Sequence, residues 1–125
     1  MLMKRALAVI QKCSIKRIGQ TFLIQFGLVP WILGVLRTYE QSDSYILEHI
    51  TVLLMNLVTR VEGRKACLDP SHEPLNLLAS LIENPGIRTY VNKILYSLLA
   101  LPEFKTEAKV SFHFNEVGDR IAEIS

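Results

Sequence analysis

Apolar side chains recur along this chain at helical spacing. Ile46, Ile50, Leu53, Leu54 and Leu57 fall on one face of a helix, as do Tyr90, Ile94, Leu95, Leu98 and Leu101. Alternation suited to a strand occurs only at Val110–Phe114, one short run with no second run to satisfy its backbone. The pattern therefore predicts an all-α chain with helices at 2–14, 16–26, 29–38, 44–60, 62–68, 73–83, 86–101 and 103–110. Punctuation supports these limits. Gly27 suits the residue after a helix, where positive φ costs only glycine nothing. Pro30 suits a first turn, where its missing N–H has no partner to lose. Asp43 and Ser71 are placed to cap the helices that follow, and Asn84-Pro85 repeats the cap-then-proline order. Pro102 is placed to stop the helix before it.

The order of long, short and medium helices repeats. Ile10-Gln11-Lys12-Cys13 falls under Leu54-Met55-Asn56-Leu57, an offset of 44, and those fall under Leu95-Tyr96-Ser97-Leu98, an offset of 41. Gly19 falls under Gly63, and Trp31-Ile32-Leu33 under Leu75-Asn76-Leu77, at the first offset. Repeats of this length built from two or three helices are those of armadillo and HEAT arrays. Such a unit carries oily residues on more than one side and covers them only by stacking on its neighbours. The expected architecture is an armadillo-type right-handed helical solenoid of about two to three repeats. Residues 1–110 form the repeats, and residues 111–125 are a C-terminal tail assigned to none.

Composition and charge narrow the chemistry. Half of the 125 residues are apolar, enough for a core, and the net charge of +2 is too small for a general polyanion binder. The charge is uneven. Residues 1–39 hold Lys4, Arg5, Lys12, Lys16, Arg17 and Arg37 with no acid. This stretch lacks the serines of a transit peptide and runs into core-like sequence, so it reads as a basic face on an ordinary domain. Phe26–Leu36 is uncharged but shorter than the about 20 residues a membrane span needs, and Gly27, Pro30 and Gly34 interrupt it. Two cysteines make no disulfide framework. Cys13 and Cys67 are expected as free core thiols in a reducing, cytoplasmic compartment, and Trp31 as a core residue. Cys67 and His72, with the scattered His49, His113 and Cys13, repeat no ligand pair at metal spacing. Neither serine setting nor glycine pattern suggests a nucleophile or a phosphate loop. No enzyme, cofactor, metal or small-molecule substrate is expected.

Two stretches carry a resemblance. Phe26-Gly-Leu-Val-Pro-Trp-Ile-Leu-Gly-Val-Leu36 resembles the armadillo junction between first and second helices. Ile46-Leu-Glu-His-Ile-Thr-Val-Leu-Leu-Met-Asn-Leu57 resembles the long third helix with its Leu-x-Asn-Leu ending. With Leu36–Tyr45 before it, the second stretch is similar to the LisH-containing armadillo-repeat proteins of centrioles and ciliary basal bodies. That family's N-terminal LisH motif and coiled coil have no counterpart here, so a fragment or shortened form is expected. The resemblance implies a non-enzymatic scaffold in ciliary assembly, stability and signalling, with ciliary or centriolar protein partners and a cytoskeletal location.

In armadillo folds the third helices line a concave groove, and an Asn there holds the backbone of an extended peptide. An amide both donates and accepts, so it reads backbone without reading sequence. By motif position this residue is Asn56. Spacing of four adds Val52 and Glu48. Ser97, Lys93 and Thr89 are the corresponding line in the next unit, and Lys12 with Ala8 in the previous one. The ladder thus keeps one amide. The tryptophans that peptide-reading relatives carry one turn earlier are replaced by Ala8, Val52 and Lys93, which argues against binding nuclear signals. Lys12 and Lys93 favour an extended acidic or mixed protein segment, and neither nucleic acid nor membrane is the expected partner. The alternative reading is a nucleic-acid or anionic-membrane binding module that uses the basic N-terminal third.

Overall fold

A computed structural model describes residues 2–38, 44–69 and 73–111 of the chain. Among these there are eight helices and no strand. They are α1 (Leu2–Cys13), α2 (Arg17–Gln25), α3 (Leu28–Thr38), α4 (Ser44–Leu57), α5 (Val61–Ala66), α6 (Pro74–Leu81), α7 (Arg88–Leu98) and α8 (Pro102–Ser111). Asp43, Ser71 and the tail beyond Ser111 lie outside the described residues.

Like packs on like. Helices α1, α4 and α7 lie side by side, α2 packs on α5, and α3 on α6. This is the translational stacking of an armadillo-type solenoid. Helices α2–α4 and α5–α7 are its two triplets, α1 is the third helix before them and α8 the first helix after. Inside the first triplet α2 bends from α3 by 73°. Gly27 makes that corner with a φ of 78°, as its place in the sequence predicts. The bend also bears on membrane crossing. No single described helix is long and apolar enough to span a bilayer, and α2 with α3 reaches that length only across the bend.

Stacking closes one continuous core. Ile32, Leu33 and Leu36 of α3, Leu47, Ile50, Leu53, Leu54 and Leu57 of α4, Leu75 and Leu78 of α6, and Val91, Ile94, Leu95 and Leu98 of α7 are all buried. Burying each such side chain stabilises the fold by about 1.5–3 kcal/mol relative to exposure. Two residues expected in this core are not in it. Trp31 is 44% exposed and Cys13 is exposed, whereas their counterparts one unit on, Leu75 and Leu57, are fully buried. Leu57 on α4 and Leu75 on α6 are covered by neighbouring helices, whereas Cys13 on α1 and Trp31 on α3 lie toward the N-terminal end of the stack.

The corner between a third helix and the next first helix is built the same way twice. A Cβ on Gly19 would overlap the carbonyl oxygen of Cys13, and a Cβ on Gly63 that of Leu57. Only glycine lets the backbones approach so closely. One residue on, Gln20 Nε2 donates to the Ser14 carbonyl at 2.9 Å, and Arg64 Nη1 donates to the Val58 carbonyl at 3.0 Å. The capping residues Lys16 and Arg60 have matching extended backbones, with φ of −92° and −94°. All three pairs stand 44 apart in the sequence.

Helix ends differ from expectation where turns compete for backbone groups. Helix α4 stops at Leu57, because the Arg64 guanidinium takes the carbonyls of both Val58 and Thr59. Helix α7 starts at Arg88 rather than residue 86, because Asn84 Oδ1 accepts from Gly86 N–H at 2.9 Å and forms a turn instead of a cap. It ends at Leu98, where the Ala100 and Leu101 N–H groups turn to carbonyls three residues back. Pro102 opens α8 as well as closing what precedes it. Helix α6 carries Pro74 in its first turn behind Glu73, which holds a left-handed φ of 43° and makes no side-chain cap bond.

Candidate partner-binding groove

The wall formed by α1, α4 and α7 is pinned by polar contacts that cross between helices. At one end Lys4 Nζ lies 5.2 Å from the centre of the Tyr45 ring, a cation–π contact between α1 and α4. Nearby, Tyr90 Oη on α7 donates to Glu48 Oε1 on α4 at 3.3 Å. At the other end Asn56 Nδ2 donates to Ser14 Oγ at 2.9 Å. Ser14 is fully buried, and its hydroxyl donates in turn to the Gln11 carbonyl at 2.6 Å. With the Ser14 carbonyl held by Gln20, one serine joins the ends of α1 and α4 to the start of α2.

Between α4 and α7 the wall opens into a groove of about 580 Å³. Met55, Asn56 and Thr59 line it from α4 and the turn after it, and Asn92, Lys93, Tyr96 and Ser97 from α7. Its surface is mostly apolar, with amide and hydroxyl groups spaced along it and Lys93 as its charged group. Such a site suits a chain segment whose side chains bury against Met55 and Tyr96 while its backbone meets the amides. The Asn56 carbonyl oxygen and its second N–H are not used by the Ser14 bond, so the residue keeps both an acceptor and a donor.

The sequence-expected residues divide into two groups. Asn56, Lys93 and Ser97 come together in the groove. Glu48 is joined to Tyr90, Val52 is half-buried on α4, and Thr89 is exposed on the first turn of α7. Lys12 is exposed at the end of α1 and does not line the groove. Sequence reasoning missed Met55, Thr59, Asn92 and Tyr96. Asn92 and Tyr96 stand four apart, one position ahead of Lys93 and Ser97, so a second row at the same spacing was there to be read. Ser14 carried no signal, because its importance comes from a partner 42 residues away.

Nothing in this geometry resembles a reaction centre. Burial pushes the Cys67 thiol up to about 12, which keeps it protonated and a poor nucleophile. Among the described residues no three His, Cys, Asp or Glu side chains gather as metal ligands.

Relatives match this arrangement in sequence. A family model described as the ARM repeats of LisH domain-containing protein ARMC9 matches residues 23–122. LisH domain-containing protein ARMC9 of Danio rerio is 40% identical over 108 residues, that of Homo sapiens 38% and that of Bos taurus 37%. Each match covers 85% of this chain, which spans 13–16% of the length of these relatives. The fold is of the non-catalytic scaffold kind, and the chain belongs to the ARMC9 armadillo-repeat family.

Proposed function

We propose that this chain is a protein-interaction scaffold whose α4–α7 groove holds an extended, acid-bearing segment of a ciliary basal body or centriolar protein. The observation that carries the reading is the gathering of Asn56, Asn92, Lys93, Tyr96 and Ser97 in one groove on the third-helix wall. Asn56 and Asn92 hold the segment's backbone, Met55 and Tyr96 pack on its side chains, and Lys93 meets a carboxylate. Lys12, further along the wall, adds charge of the same sign for a segment that continues past α4. Glu48 and Val52 continue the Asn56 row along α4, and Thr89 the Lys93 row along α7. The ciliary setting rests on the resemblance to the basal-body family, and a cytoskeletal location follows from it.

The test is proximity labelling in ciliated cells, with the chain compared against its Asn56→Ala/Lys93→Glu variant. Lys93 is exposed, whereas Asn56 also ties α4 to Ser14, so circular dichroism and a urea titration of the variant check that its fold is kept. The expected result is a set of centriolar neighbours that the variant loses. Identical neighbours for both proteins, or none from the centriole, would refute the reading.

A further inference from the structure

The large apolar side chains left exposed between α1 and α3 fall into two classes, and the repeat separates them. Val9 and Trp31 correspond to Leu53 and Leu75, which are fully buried between units. Their exposure belongs to the stacking face. Ile15, Ile18 and Phe22 correspond to Thr59, Glu62 and Ala66, of which Thr59 and Glu62 are themselves exposed. Stacking therefore does not ask for apolar residues at the Ile15 and Ile18 positions, whereas Ala66, the counterpart of Phe22, packs partly against the core. On α2, Ile18 and Phe22 are exposed, while the side that meets α5 is marked by Thr21 and the Arg17 carbonyl under Arg60, and by Ile24 against Gly63.

The row protrudes. Ile18 is 86% exposed, Phe26 74% and Phe22 59%. The Phe22 and Phe26 rings pack on each other with centroids 4.6 Å apart. The depression beside it, about 380 Å³, is lined by Arg17, Ile18, Thr21, Phe22 and Gln25, all of α2. It therefore differs from the α4–α7 groove, which two helices wall. A standing ridge of Ile and Phe suits a fluid apolar layer better than a shaped partner.

Charge points the same way. Lys12, Lys16 and Arg17 are exposed within six residues of one another, interleaved with Ile15 and Ile18. No acid occurs before residue 40. The acid on the neighbouring first helix, Glu62, is paired with Arg60 at 3.5 Å. Acids and bases balance over the remaining described residues, so among the described residues the net positive charge lies in 2–38, with three of its six bases at this corner. Lys and Arg beside an apolar ridge place their charges at headgroup level while the ridge enters the acyl boundary.

We propose that the α1–α2 corner and the outer face of α2, with Ile15, Ile18, Phe22 and Phe26 beside Lys12, Lys16 and Arg17, dock the chain on an anionic lipid bilayer. This takes up the membrane half of the alternative reading of the basic N-terminal third, against the main expectation that a membrane is not the partner. Helical spacing alone did not show which side of α2 faces outward. The surface is separate from the α4–α7 groove, and the proposal stands or falls independently of that groove.

The experiment is flotation of the full chain with phosphatidylcholine vesicles, with and without phosphatidylserine, at low and high salt. The chain should float with the anionic vesicles and release as salt rises. Each basic side chain near such a surface is worth roughly fivefold in binding, so Lys16→Glu/Arg17→Glu should weaken flotation by at least about tenfold. Ile18→Ser/Phe22→Ser should weaken it to a similar degree with the charge intact. Val9→Ser, which alters only the stacking face, should float as the parent does. All these side chains are exposed, and circular dichroism checks that each variant keeps its helices. Absence of flotation, or equal flotation of all variants, would overturn the proposal. So would light scattering showing a dimer that Ile18→Ser/Phe22→Ser dissolves while flotation stays unchanged, which would assign the ridge to a second copy.

Discussion

Replacing Gly63 with alanine tests the corner geometry most directly. Its new methyl would overlap the Leu57 carbonyl oxygen and sit 3.4 Å from Ile24 Cδ1. The first neighbour is backbone and cannot swing away, so α5 must shift from the end of α4. Overpacking of this kind costs roughly 1–3 kcal/mol, and more where backbone must move. Alanine's better helix propensity returns about 1 kcal/mol. Because the overlap is with backbone, the upper part of the range applies, and a net loss of about 2 kcal/mol is expected. At this chain length that lowers the melting temperature by roughly 8 °C. Gly19→Ala meets the same obstacle at Cys13 and should behave alike. Gly34 is the internal control. It lies inside α3 with nothing within 4 Å of an added Cβ, so Gly34→Ala should stabilise by about 0.5–1 kcal/mol. Urea titrations followed by circular dichroism at 222 nm read all three. The reasoning fails if Gly63→Ala matches the parent, or if Gly34→Ala loses as much as Gly63→Ala.

Three other outcomes follow from particular contacts. Gln11 Oε1 is buried without a donor, and the second unit carries Met55 at the equivalent position, so Gln11→Met should raise stability by about 1 kcal/mol in the same titration. Arg60 Nη1 donates to Thr21 Oγ1 at 3.0 Å and to the Arg17 carbonyl at 3.2 Å, so Arg60→Ala should cost about 1 kcal/mol, and an unchanged urea midpoint would deny that tie any weight. The raised Cys67 thiol stays protonated in the fold, whereas the unfolded thiol ionises near 9. Its contribution is therefore complete below pH 9 and declines as pH rises toward 12, by up to about 1.4 kcal/mol per pH unit. Cys67→Ala should flatten that decline, and alkylation of the native chain at mild pH should label Cys13 and spare Cys67.

Much of the fold was legible because the units bury the same positions each time. The stripe Ile50, Leu53, Leu54, Leu57 and the glycine pair 44 apart are local patterns with structural consequences that repeat. Trp31 and Cys13 were misplaced because a periodic pattern marks a face as oily without saying whether another layer covers it. The helix ends were misjudged where Arg64 and Asn84 engage backbone groups, and such competition is invisible to spacing. In the candidate groove, the positions Asn56, Lys93 and Ser97 were readable because they share one helical row per unit. Tyr96 and Met55 were not, because the groove lies between two rows and its axis depends on how α4 and α7 are rotated against each other.

The bond from Asn56 to Ser14 gives the wall a lever. One amide hydrogen fastens α4 to the end of α1, and the residue also lines the α4–α7 groove. In the proposed reading, a segment that engages the rest of that amide would load the joint between α1 and α4, and occupancy and layer spacing would become linked quantities. By reciprocity, if splaying the joint weakens binding by a given factor, binding disfavours that splaying by the same factor.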